Sequence, residues 1–193
     1  QQEERVGMTS PKILYYDQPD IIQYAGATPI HPVTGRGKKI GFQKQDDGSF
    51  GEGRPTALCN GACMLVRRRV FEEVGLLPEL YFMYYEEHDF CERARQRGWQ
   101  CYYAGASYIF HRQSMTIGRS NALKTYYLFR NRWLFMRRVR RGPGYYLFVG
   151  YYLLLGAPKN IARHLLRREF DHVRSIVRGL FWNIQHQKIH HYE

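Results

Sequence analysis

Apolar and polar positions fall into distinct blocks along this chain. KILYY at 12–16 and IIQYAG at 21–26 read as two short strands, joined by a turn over 17–20 that contains Pro19. Residues 1–11 are polar and predict a frayed end. From Thr28 to Pro55 the pattern dissolves into Gly, Pro, Lys and Asp, which predicts a loop long enough to be functional or a linker. The apolar run within 56–68 predicts a buried strand around 62–66. Gly61 just before it would allow a close backbone approach or serve as a plain turn. VFEEVG at 70–75 predicts a short helix stopped by its glycine.

The next helix carries the strongest pattern. Over 86–97 the apolar positions Phe90, Cys91 and Ala94 form one stripe at 100° per residue, and Gly98 ends the helix. Residues 99–103 and 107–111 then read as two strands, the second closing on His111. Residues 120–141 predict a long basic helix. It is followed by YYLFVGYYLLLGA at 145–157, thirteen residues without a charge. As a helix that run would be about 20 Å long, short of the roughly 30 Å of a hydrocarbon core. The remainder, with Arg167, Arg168, Arg174 and Arg178, predicts further basic helix.

Composition adds one asymmetry. The net charge is +12, yet residues 1–111 carry 13 basic and 14 acidic side chains, whereas residues 112–193 carry 16 and 3. The excess therefore belongs to the C-terminal part and predicts an anionic partner there, a membrane surface or a nucleic acid. The four cysteines lack paired zinc spacing and read as buried thiols of a reducing compartment. No GxGxxG lies between a strand and a helix, which excludes a dinucleotide fingerprint.

The candidate chemistry lies in YFMYYEEHDFCER at 81–93. Glu86 and Asp89 sit to the side of the helical stripe, where the helix dipole favours acids in a first turn. Asp89 stands four residues before Arg93, which suits an ion pair. Glu87 falls within the apolar stripe and points inward. An inward carboxylate is costly without a partner, and a polar cavity that accepts one is where catalytic bases sit.

NGACMLVRRRVFEEVGLLPELYFMYYEEHDFCERARQRGW, then the strand-end His111 and Tyr126-Tyr127 to Arg130-Asn131, resembles the second half of the catalytic domain of family 2 glycosyltransferases, in the bacterial rhamnosyltransferase-like branch. The resemblance covers roughly residues 12–140, with the motifs in order. It implies an α/β chain: the second half of a GT-A fold over 1–118, and a basic, aromatic-rich helical appendage over 119–193 that associates with membrane. It further implies a nucleotide-sugar donor, Mg²⁺ or Mn²⁺, inversion at the anomeric carbon, and a saccharide or polyprenyl-linked acceptor, as in cell-surface polysaccharide synthesis. The expected location is the cytoplasmic face of a bacterial inner membrane. By the same resemblance Glu87 is the base with Glu86 as the fallback. Asp89 and Arg93 orient the helix and the acceptor, Gly61 lines the donor-sugar pocket, and His111 completes a metal shell.

The sequence departs from that pattern in three places. Glu87 stands where the family usually has Asp, and Pro78-Glu79 replaces an Asp-Glu turn. The nucleotide-binding half with its metal-holding Asp-x-Asp does not precede the matched region, and Asp46-Asp47 in a glycine-rich loop is a poor substitute. The expectation is a chain that transfers no sugar by itself. The competing expectation is a basic helical module, without catalysis, for anionic membrane or single-stranded nucleic acid. Aromatics crowded into uncharged runs, beside Arg rather than alternating with it, argue for the membrane interface over nucleic acid.

Overall fold

The structure is a computed structural model and describes residues 3–112 and 121–186. The chain is mixed α/β and divides into two compact units. The first comprises residues 3–29, 37–80 and 86–112; the second comprises 30–36, 81–85 and 121–186. The boundary expected at 118/119 lies outside the described residues.

The first unit is a five-stranded mixed sheet with two helices. β1 (Val6–Tyr15) and β5 (Gln100–His111) run parallel at its centre. β2 (Gln18–Tyr24) pairs antiparallel with β1, and β3 (Arg54–Thr56) antiparallel with β5. β4 (Leu65–Val66) pairs with Met8 and Thr9 of β1. α1 (Arg68–Val74) and α2 (Glu86–Gln96) meet through Phe71 and Phe90, whose rings stack at 5.3 Å. Met8, Ile13, Ile22, Tyr24, Phe90 and Tyr103 are among the core side chains lost to solvent. All four cysteines are free thiols, and Cys59, Cys91 and Cys101 lie in this core.

Three expectations change. Residues 6–11 are not frayed but form the first half of β1. Their polarity is absorbed locally, since the buried Ser10 hydroxyl donates to Cys63 O at 2.8 Å and accepts from Asn60 N. The buried strand expected at 62–66 shrinks to the two residues of β4, and Leu65 is 75% exposed because no layer covers that edge residue. The two strands expected at 99–103 and 107–111 are one strand with a bulge. Pro11, which has no N–H, lies opposite Ala104, whereas Lys12 lies opposite Tyr108, so 105–107 have no partner on β1. A Cβ at Gly105 would stand 2.6 Å from Gly51 O, so only glycine lets the bulge pass that backbone.

The glycine-rich segment expected as a long loop is ordered against β2. Ile22 N donates to Lys44 O and Gln43 N to Ile22 O, while Ala25 N donates to Ile40 O and Ile40 N to Gly26 O. Lys39 bridges to Ala27 within this run. Loop residues are thereby fixed at the same edge of the sheet as the end of β2.

The second unit is helical. α3 (Ala122–Val139) packs on α6 (Phe170–Gln185). α3 begins at an Asn121 cap, whose Oδ1 accepts from Leu123 N at 2.8 Å. Its middle is buried on every side from Phe129 to Arg137, including Arg130, Asn131, Arg132 and Arg137. α4 (Pro143–Tyr151), a π-helical turn (Tyr152–Gly156) and α5 (Ala157–Leu166) form one uninterrupted helical path. The uncharged run is thus the first part of a longer helix. Pro158 explains the π turn, because it lacks an N–H and its ring displaces the carbonyl four residues back. Tyr152 closes the turn from within, fully buried, stacked on Phe148 and donating its hydroxyl to Phe129 O at 2.9 Å. No helix among the described residues is long and apolar enough to cross a membrane.

Candidate active site

The site is built in the first unit around the first turn of α2. Glu86, Glu87 and Asp89 all lie in that turn. Their environments differ. Asp89 has no exposed surface, although the helical wheel places it at the side of the stripe. It is taken up by Arg93, whose Nε donates to Asp89 Oδ1 at 3.0 Å. The same guanidinium donates to Val74 O and to Leu76 O, so the pair fastens the turn after α1 to the face of α2. Asp89 and Arg93 therefore orient the helix.

Glu86 and Glu87 carry the unspent acidity. In each carboxylate Oε2 is buried without a hydrogen-bond partner. Glu87 Oε1 stands 3.5 Å from His88 Nδ1. Burial pushes the Glu87 carboxyl up, but the His88 ring, a backbone N–H and the Lys39 ammonium together outweigh it and hold the group below the ordinary carboxylate range. Burial and the charge of Glu87 push Glu86 up to about 6. Two adjacent carboxyls thus separate into one held ionised and one that takes its proton near neutrality. Gly61 lies across from Glu87. A Cβ placed on it would come 3.8 Å from Glu87 Cβ, so its lack of a side chain keeps space open beside that carboxylate.

His111 ends β5. Its Nδ1 stands 2.9 Å from Gln23 Oε1. An amide oxygen only accepts, so the proton sits on Nδ1 and the Nε2 lone pair is left for another partner. Burial and the Lys39 charge lower its pKa, which keeps the ring neutral. Lys39, which composition alone did not single out, thus acts on both Glu87 and His111. The only sign of it in the sequence is its place in the glycine-rich segment. Among the described residues no three His, Cys, Asp or Glu side chains gather to hold a metal ion, and Asp46 is spent on Lys12 at 2.6 Å. The residues present offer a divalent cation one imidazole, so the cation enters no step below.

In the second unit the structure gives Arg130 and Asn131 a definite task. Asn131 Nδ2 donates to Tyr81 O, Met83 O and Tyr84 O at 3.0, 2.7 and 2.8 Å. Arg130 donates from Nη2 to Tyr81 O and from Nε to Asn131 Oδ1. Arg132 Nε donates to the Tyr85 hydroxyl at 3.1 Å. The segment so gripped contains three non-glycine residues at positive φ: Phe82, Tyr84 and Tyr85, at 62°, 62° and 79°. Such conformations persist only when surrounding bonds over-determine them. The segment runs directly into Glu86.

No family model matches the chain. A stretch of 69 residues, 36% of this chain, is 38% identical to N-acetylglucosaminyl-diphospho-decaprenol L-rhamnosyltransferase of Mycobacterium tuberculosis and covers 22% of it. A stretch of 85 residues, 42% of the chain, is 40% identical to the low-salt glycan biosynthesis hexosyltransferase Agl10 of Haloferax volcanii and covers 27% of it. The matched stretches span about a quarter of the length of these curated relatives, and over them the chain is similar to glycosyltransferases.

Proposed function

We propose that this chain is part of an inverting glycosyltransferase that moves a sugar from a nucleotide-sugar donor to a saccharide or lipid-linked acceptor. The observation that carries the reading is the split carboxylate pair Glu86–Glu87, half-buried, each with one buried oxygen short of a hydrogen-bond partner, and with Glu87 beside Gly61. Glu87 is the base. Held ionised, it accepts the proton of the acceptor hydroxyl as that oxygen bonds to the anomeric carbon. The bond from that carbon to the donor phosphate breaks on the opposite face, and the nucleoside diphosphate leaves with the electron pair. Glu86 sets the field around Glu87 and is the fallback base. Gly61 leaves room for the sugar. Mg²⁺ or Mn²⁺ would neutralise the leaving group, with ligands drawn largely from beyond these residues. For that reason the 193-residue chain alone is expected to show no donor turnover.

The second unit supports a place at a membrane surface. On α6 the exposed Phe170, Val177, Phe181 and Ile184 recur at intervals of seven, four and three, one helical stripe. Tyr146, Leu147, Leu154 and Leu155 are likewise exposed, each above 60%. Basic residues flank them: Arg140 and Arg141 before, Lys159 and Arg163 after. An apolar stripe bordered by cations suits the headgroup layer of an anionic bilayer, and the proposed location is the cytoplasmic face of a bacterial inner membrane.

The test is kinetic. In an active parent protein, Glu87→Gln should lower kcat by at least about a hundredfold with donor affinity little changed, the loss expected for a general base. Glu86→Gln should lower it less. The reverse order would move the base to Glu86, and two near-parent rates would remove the carboxylate mechanism.

A further inference from the structure

Three arginines stand together where α3 ends: Arg137 in its last turn, Arg140 as its cap and Arg141 just beyond. Arg137, Arg140 and Arg141 line an open cavity of about 470 Å³ together with Trp133, Tyr145 and Asn183, and among the described residues no Asp or Glu contributes to its wall. Arg137 is 7% exposed. Its Nη1 donates to Asn183 O at 3.0 Å and its Nη2 to Asn183 Oδ1 at 3.4 Å. Asn183 is fixed in turn, its Nδ2 donating to Arg130 O and Gly179 O. Nε of Arg137 and Nε of Arg140 are both buried with no acceptor. A guanidinium donor left so is costly, and burial together with Arg138 draws the Arg137 pKa below the usual arginine range.

The opposite wall is prepared for an acceptor as well. The Tyr145 hydroxyl accepts from Trp133 Nε1 at 3.0 Å, which leaves its own proton to donate outward. α4 starts at this wall, with Gly142 as its cap and Pro143 in its first turn, so the positive end of its dipole faces the same space. Leu147, 63% exposed, follows Tyr145 and Tyr146 directly on α4. Three fixed or fixable guanidinium groups, a hydroxyl donor and a helix start, in a cavity larger than one carboxylate fills, match a compact polyanion with many acceptor oxygens.

We infer that this cavity binds the diphosphate group of a phosphorylated ligand, through Arg137, Arg140, Arg141 and the Tyr145 hydroxyl. The site needs nothing from Glu86 or Glu87, so it stands or falls apart from the glycosyl-transfer reading. Isothermal titration of the 193-residue chain with inorganic pyrophosphate should show one saturable site that weakens as salt rises. Arg137 is part of the packing and is left in place. The Arg140→Gln, Arg141→Gln double variant should keep its melting temperature and lose at least about tenfold in affinity. Arg167→Gln, Arg168→Gln, which removes the same charge elsewhere, should bind like the parent. Titration with farnesyl diphosphate identifies the source. Tighter binding than pyrophosphate assigns the site to a lipid diphosphate reaching Leu147, and equal binding assigns it to a free diphosphate. Absence of saturable binding overturns the proposal, as does equal weakening by the two double variants.

Discussion

Glu86 is the residue whose protonation the fold governs most visibly. Its folded-state pKa of about 6 stands above its ordinary 4.5. A carboxyl raised in this way binds its proton more tightly in the folded chain. The stability it contributes is complete below about 4.5 and is lost as pH rises through about 6. Glu86→Gln should therefore stabilise the protein at pH 7.5 by about 1 kcal/mol, a figure reduced for the partial exposure of the group, and change little at pH 4.5. Urea melts at the two pH values check this; a variant-minus-parent difference that does not grow with pH would show that Glu86 does not titrate there. The inward direction of Glu87 was legible in the sequence, because Phe90, Cys91 and Ala94 fix the buried face of α2 and Glu87 lies within it. The burial of Asp89 was not. Helical spacing reveals Arg93 as its partner but not the carbonyls of Val74 and Leu76, which complete the cluster from another turn. Lys39 was equally hidden, since its influence on Glu87 depends on a loop pairing beside β2.

Among the elements, α3 shows how far a sequence pattern can mislead about what surrounds a helix. Its many arginines read as part of the basic C-terminal region that predicts an anionic partner. In the fold Arg130 and Arg132 turn to the backbone and hydroxyl of 81–85, and Arg137 turns to Asn183. Asn131 has the most consequential position. Asn131→Ala would take a donor from the Met83 and Tyr84 carbonyls, one of several from Tyr81 O, and the acceptor from Arg130 Nε. The expected cost is about 2–4 kcal/mol. Thermal melting reads the cost, and hydrogen exchange should rise first in residues 81–85, which hold unfavourable φ angles without that grip. Protection of 81–85 equal to the parent's would show that the aromatic residues hold the segment by themselves. The end of α2 at Gly98 was readable from a short-range signal. The single bulged β5 was not, because it depends on the backbone of Gly51 far along the chain; the π turn has a local cause in Pro158, but the uncharged run before it reads as plain helix.

At the scale of the molecule, charge and exposed apolar surface concentrate in the same C-terminal region, and the proposed membrane contact follows from their combination. Cations alone would give binding that salt abolishes; the apolar stripe should leave a remainder. The protein should sediment with vesicles of anionic phospholipid at low salt and in part at 1 M salt. Leu147→Glu with Leu154→Glu, both on exposed positions, should remove the salt-resistant fraction without unfolding the chain. An unchanged fraction would show that this surface does not enter the lipid. The division into two units has a different consequence, one for biosynthesis. The chain passes back and forth between them, so the helical unit includes 30–36 and 81–85, which leave the ribosome long before α3 does. Those early segments must wait for their docking partners, and a polypeptide of residues 121–186 would emerge without the 81–85 carbonyls that Arg130 and Asn131 hold. Produced alone, it should show the circular dichroism of a fluctuating helical ensemble and no cooperative melt. A sharp transition would mean that the two inserted segments are dispensable. The helical unit is thus expected to be assembled late, once α6 has followed α3 and the early segments 30–36 and 81–85 have their partners.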